Sequence, residues 1–160
     1  MSTNAMSPTG DIAKTLKISI EVMDTIPQHY WETEVEVLDA DFDRLGHVNN
    51  VVYLRYVQEV AESHWNGIAT PTQLQTSIWV VRRHEIDYSN PILPGYPITG
   101  LTWVHRPEGT RFHRSVWMVS PDRKTIYAKA KTTWLLLDNI SGRPKRVEDA
   151  LLVAFEKWMV

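Results

Sequence analysis

Cysteine is missing from all 160 residues. That excludes disulfides, thiolate nucleophiles and Cys-ligated metals, and it suits a reducing compartment, so a cytoplasmic location is expected. No apolar run approaches the roughly 18 residues that a membrane span needs. The N-terminus lacks the charged-then-apolar order of a secretory leader, so no membrane partner is expected. Charge of one sign is not in excess: 17 Lys and Arg face 19 Asp and Glu, for a net charge of −2 and a pI near 6.3. Nucleic-acid binding driven by bulk charge is therefore not expected. Neither a Gly-x-Ser-x-Gly elbow nor a glycine-rich phosphate loop occurs. A calcium loop opening at Asp41 would need an oxygen ligand where Leu45 stands and a bidentate glutamate where Val52 stands. A zinc site from Asp43, His47 and His64 would lack compact His pairing, so no metal is expected.

What is present describes one ordinary domain, with 43% hydrophobic and 22% charged residues. Residues 1–10 are rich in Ser, Thr, Asn and Pro and read as a disordered tail. Residues 11–160 read as a single domain, and the loose alternation over 11–24 allows a short extra strand or an arm. From Trp31 to Val37 the period is two, with Trp31, Val35 and Val37 on one face and Glu32, Glu34 and Glu36 on the other. The positions Tyr53, Leu54, Val57, Val60, Ala61, Trp65 and Ile68 fit the stripe of an amphipathic helix over Asn49–Gly67, with Gly67 as its stop. Arg55 and Glu59, four apart, suit a surface ion pair. His64 borders the stripe and reads as a hydrogen-bonded packing residue.

Pro71–Thr76 reads as a connector. Four strand-like runs follow at Ile78–Tyr88, Ile98–Arg106, Arg111–Ser120 and Thr125–Leu137, separated by Pro- and Gly-bearing turns that favour antiparallel neighbours. Asp138–Pro144 reads as a turn, and Glu148–Met159 as a terminal helix. The small Ala128 and Ala130 would let a helix approach the last strand closely. Each of the five strands carries one tryptophan (Trp31, Trp79, Trp103, Trp117, Trp134), which suits core filling or a subunit contact.

The chemistry concentrates in Asp41-Phe42-Asp43-Arg44-Leu45-Gly46-His47-Val48-Asn49-Asn50, directly before the helix. Asparagine is a strong N-cap residue, and the first helical turn offers unpaired N–H groups and the positive end of the dipole to a negative charge. A loop carboxylate there supplies an attacking group or a base, and the amides supply an oxyanion site. A capped loop with no chemistry accounts for the same composition.

The order Asp43, Gly46, His47, Val48, Asn49, Asn50, Tyr53 resembles the signature of hotdog-fold thioesterases of the 4-hydroxybenzoyl-CoA thioesterase-like group. The resemblance runs from about Trp31 to Val147, with Ile86-Asp87-Tyr88, Pro91, Pro94-Gly95, Thr132-Thr133-Trp134 and Asp138…Pro144 as later pieces. It implies an α+β hotdog, in which a curved antiparallel sheet wraps one central helix and a small C-terminal helix follows. It also implies hydrolysis of acyl-CoA without a cofactor, in a homodimer or a dimer of dimers. By the same resemblance Asp43 is the catalytic carboxylate, as nucleophile or general base. The Asn50 N–H then helps hold the oxyanion, and His47 and Asn49 fix the loop or orient water. Asp41 falls to capping or bracing.

Gly46 and Tyr53 are expected beside the substrate, as is Gln58, which stands where many relatives carry glutamate. Arg82, Arg83, Arg106, Arg111 and Arg114 are candidate partners of the CoA phosphates, or plain surface charges. Plant acyl-carrier-protein thioesterases, which are similar in this motif, show asparagine where this chain has Leu45, which leaves acyl-CoA ahead of a carrier-protein substrate. A hotdog hydratase of enoyl thioesters and a non-catalytic acyl-CoA-binding protein are the other readings.

Overall fold

A computed structural model describes residues 25–160. The expectations for residues 1–10 and 11–24 lie outside them. Strand β1, Trp31–Val35, alternates as its pattern requires, with Glu32 and Glu34 exposed and Val35 buried. Helix α1, Val52–Ile68, follows the motif loop, and the short helix α2 spans Pro71–Thr76. Then come β2 (Ile78–Tyr88), β3 (Ile98–Val104), β4 (Arg111–Val119) and β5 (Ile126–Leu137). A two-residue strand β6, Pro144–Lys145, and helix α3, Asp149–Phe155, close the chain with a 3-10 turn over Glu156–Trp158.

The strands form one antiparallel sheet in the order β1-β3-β4-β5-β2, with β6 added to β5. Its curved face holds α1, and the fold is the expected hotdog. Val35, Ile98, Val116, Met118, Ala128 and Ala130 of the sheet surround Tyr53, Tyr56, Val57 and Val60 of the helix. The helix presses against Gly100, where a Cβ would stand 2.2 Å from Val60 Cγ2, so glycine permits this spacing. On the opposite face of the sheet Leu101, Trp103, Trp117 and Val119 form a separate cluster with Ile26, Tyr30 and Ile126.

Three expectations needed revision. The buried arc of α1 is Tyr53, Tyr56, Val57, Val60, Ala61 and His64, and Leu54 is 40% exposed. The arc is rotated because Tyr56 and His64 carry polar atoms that find partners inside, which an apolar count does not register. The connector at 71–76 is a helical turn: Thr70 accepts from the Gln73 N–H at 3.2 Å, the Gln73 side chain accepts from the Thr70 N–H at 2.9 Å, and Pro71 sits at the first helical position. Gly67 does not end α1, which runs on to Ile68; a Cβ at Gly67 would come 2.3 Å from the Trp31 ring.

Candidate active site

The motif folds as a closed loop, held by an antiparallel bridge between Phe42 and Val48. At its tip the Asp43 N–H donates to the His47 carbonyl at 2.8 Å, and the Gly46 N–H donates to the Asp43 carbonyl at 3.0 Å. Gly46 takes φ +75°, a backbone state that costs glycine little. Asp43 Oδ1 accepts from the N–H groups of Leu45 at 2.8 Å and His47 at 3.5 Å, an Asx-type turn. Its Oδ2 meets no donor among the described residues.

Two residues earlier the other carboxylate is buried and ion-paired. Asp41, 5% exposed, accepts through one oxygen from the Leu38 N–H at 2.8 Å, the Tyr56 hydroxyl at 2.8 Å and Arg55 Nη2 at 2.5 Å. Burial pushes its pKa up, but these donors and the guanidinium charge outweigh burial and hold it below the ordinary carboxylate value. Burial, with Asp41 as acceptor and neighbour, raises the Tyr56 phenol. Arg55 also pairs with Glu59 at 2.8 Å, as the spacing suggested. Asp41 thus ties the loop to the first two turns of α1. Asn49 completes the junction: its N–H donates to the Asp41 carbonyl at 2.8 Å, while its Oδ1 accepts from the Val51 N–H at 3.1 Å.

Asn50 and His47 line a cavity of about 230 Å³, together with Tyr53, Tyr88 and Asn90. The Asn50 N–H has no acceptor among the described residues, and its carbonyl accepts from the Tyr88 hydroxyl at 3.1 Å. Tyr53 is buried edge-on to Tyr88 at 5.0 Å, and burial raises its phenol. Asp43 and Gly46 stand beside this cavity in sequence but do not line it. Gln58, two turns along α1, donates to Glu62 at 2.9 Å and faces a second cavity of about 460 Å³ between α1 and strands β2, β4 and β5.

The arginines separate. Arg82 is the extra residue of a bulge in β2 and is exposed; Arg83 beside it pairs with Glu85 at 2.6 Å. Arg106 and Arg111 flank the β3–β4 turn, at the end of the molecule where α1 finishes. A 17-residue helix is about 26 Å long, so within one chain these two do not meet Asp43. Arg114 is 5% exposed and no surface group at all. It donates from Nη1 to His64 Nδ1 at 3.0 Å and to Thr102 Oγ1 at 2.9 Å. Burial pulls its pKa down to about 9. Burial, then the Arg114 charge, lowers His64 to about 3, so the imidazole is neutral and accepts the guanidinium. Alternation in β4 marked Arg114 as inward, next to Phe112 and Val116, and that was the available signal.

The model of a family described as the thioesterase-like superfamily matches residues 37–155. The chain belongs to that family. No curated protein matches. Among solved structures, a probable thioesterase of Escherichia coli, YbaW, is 21% identical with a TM-score of 0.69 over 81% of this chain and 98% of its own. A Thermus thermophilus thioesterase complexed with coenzyme A and zinc is 25% identical, TM-score 0.68, over 78% and 90%. A 1,4-dihydroxy-2-naphthoyl-CoA thioesterase from Synechocystis is 16% identical, TM-score 0.69, over 79% and 96%. Among the described residues of this thioesterase-like protein no cluster of three or more His, Asp or Glu is placed to hold a metal. None of its described helices is long and apolar enough to cross a membrane.

Proposed function

We propose that this thioesterase-like protein hydrolyses acyl-CoA thioesters, with Asp43 as the catalytic carboxylate. The observation that carries the reading is the division of labour in the loop. Asp41 is buried and paired with the Arg55 guanidinium, its Oδ2 taken by three donors, whereas Asp43 forms no ion pair among the described residues and is aimed by its own turn. Asp43 either attacks the thioester carbonyl, forming an anhydride as CoA leaves and water then cleaves it, or takes a proton from the attacking water. The carbonyl oxygen, negative in the transition state, is received by the Asn50 N–H at the positive end of α1. His47 and Asn49 hold the loop, and Gly46 permits its turn.

The working unit in this reading is a homodimer joined along β2, alone or within a dimer of dimers. This strand is an eleven-residue edge of the sheet, and unpaired edges of that length call for a cover. Antiparallel two-fold pairing there sets the Tyr88 end of one copy, with its Asn50 cavity, against the Ile78 end of the other, beside the 460 Å³ cavity. Each site then takes its carboxylate from one copy and its acyl cavity, with Gln58, from the other. Arg82, Arg106 and Arg111 are the surface cations available to CoA phosphates, and the setting is the cytoplasm.

The test is thiol release across a panel of acyl-CoAs by the parent and by Asp43→Asn. Turnover in the parent and its loss in the variant, with binding of a non-hydrolysable acyl-CoA analogue retained, supports the reading. Near-parental turnover in Asp43→Asn overturns it. Conversion of enoyl-CoA without thiol release identifies a hydratase instead.

A further inference from the structure

The 460 Å³ cavity has the size of a small-molecule site and a wall of aromatic rings, including Trp65, Trp79, Phe112 and Phe155. Such a wall suits a hydrocarbon chain. What does not suit a plain hydrocarbon is Arg114, which lines the same cavity while 5% exposed. Buried cations are paired or neutralised as a rule. Arg114 has no anion: both its bonds leave from Nη1 to neutral acceptors, His64 and Thr102, the Phe155 ring lies 6.0 Å from the guanidinium carbon, and among the described residues Nε and Nη2 meet no acceptor. No carboxylate of the described residues forms an ion pair with it. Glu62, the one acid lining the cavity, is exposed to solvent and accepts from Gln58 at 2.9 Å. A second lining residue, Trp79, holds a buried indole N–H that has no acceptor among the described residues.

We propose that this cavity receives acyl groups ending in a carboxylate, with the methylene chain along the aromatic wall and the terminal carboxylate on the Arg114 guanidinium. The reacting protein is thus selective for the CoA thioesters of α,ω-dicarboxylic acids. A planar guanidinium with its Nε–Nη2 edge free matches a carboxylate through paired N–H···O bonds. His64 and Thr102 hold it from behind and leave its charge undiminished. A methyl-ended chain of equal length leaves the charge buried and unanswered, and that penalty is the source of the discrimination.

This selectivity rests on the thioesterase reading, and the experiment separates the two. Thiol release is measured for adipoyl- against hexanoyl-CoA and for suberoyl- against octanoyl-CoA, in the parent and in Arg114→Met and Arg114→Lys. The expected preference for the diacid thioester in kcat/KM is about ten- to a hundredfold, the value of a charge-assisted hydrogen bond. It should fall to near unity in Arg114→Met and return in part in Arg114→Lys. A parental ratio near one, or a preference that survives in Arg114→Met, overturns the proposal. If no thioester is turned over, the thioesterase reading falls, and calorimetry of the parent with free suberate and octanoate decides the cavity alone. Suberate at least tenfold tighter supports the anion site, and equal affinities overturn it; this arm needs no variant to fold.

Discussion

The two ends of α1 solve the problem of polar groups in opposite ways. At the amino end the side chains of Asp41, Asp43 and Asn49 are served from nearby in the chain. Asp43 is held by N–H groups two and four residues on, Asn49 by one two residues on, and Asp41 by partners no more than 15 residues away. Toward the other end, His64 and Arg114 meet across 50 residues, and the partners are packed in rings: Trp31 stacks on His64 at 5.4 Å, and Phe155 and Trp158 stand edge-on to it. The first arrangement forms as soon as the loop closes and leaves atoms open to solvent. The second exists only when α1, β1, β3, β4 and the C-terminal helix with its 3-10 turn are assembled, and among the described residues it leaves a cation without an anion. Chemistry fits the first end and recognition of a ligand group fits the second.

The bluntest way to test that division is to destroy both ends together. Val57 lies between them, fully buried against the sheet. Val57→Asp places an unpaired charge there, at a cost of several kcal/mol, comparable with a domain's whole margin. Urea unfolding should show a protein largely unfolded or close to it. A melting temperature within a degree or two of the parent would mean that the helix faces another way.

Asp43→Asn asks the amino end alone. The amide keeps the size and an acceptor oxygen for the turn, but loses the charge and basic lone pairs. We expect kcat to fall about 10²–10⁴-fold, the range for a lost general base, and further if Asp43 is the nucleophile, with Tm unchanged within a few degrees. Asp41→Asn asks the same end the opposite question. It sets an amide against Tyr56 and Arg55 and should cost roughly 2 kcal/mol of stability. That figure is kept small because Arg55 is 36% exposed, so water replaces part of what it loses. With both variants assayed well below their melting points, the larger drop in kcat belongs to Asp43. A larger drop at Asp41 reverses the roles.

How much of this was legible in the residue order follows the same division. The strand runs, the terminal helix and the motif helix are periodic patterns, and the structure places each within a few residues. The turn at Gly46 is written by adjacent residues and could be read directly, whereas Asn49 does not cap α1: Val51 stands at the N-cap, and Asn49 Oδ1 accepts from its N–H in a turn ahead of the helix. The phase of α1 could be read only in part: His64 was expected to pack and hydrogen-bond, but Tyr56 counts as polar until its partner Asp41 is known. The same holds for Arg114. Its position in β4 pointed inward, but arginine in a short strand reads equally as a surface charge, and only topology brings it to His64 and Thr102. Gly100 is a third case: nothing in Thr99-Gly100-Leu101 announces that Val60 will press against it.

The smallest effect concerns the other end and shows itself in pH. His64 is neutral in the folded protein because burial, and then the Arg114 charge, lower it from the ordinary 6.5 to about 3. In the unfolded chain it takes a proton near 6.5. Between those two values the unfolded state holds one more proton than the folded state at this residue, so stability rises with pH through that window. Put the other way, the His64 contribution is whole above pH 6.5 and is lost as the pH falls toward 3, by up to about 1.4 kcal/mol per unit. His105, lowered to about 4 chiefly by burial, adds in the same direction, so part of the slope is not due to His64. His64→Gln keeps an acceptor for Arg114 and cannot titrate. Urea unfolding of parent and variant at pH 7 and pH 5 should show the parent losing more on acidification, with the two curves drawing together at the lower pH. Equal losses in both would mean that His64 is not held neutral, and that the guanidinium beside it has found its counter-charge elsewhere.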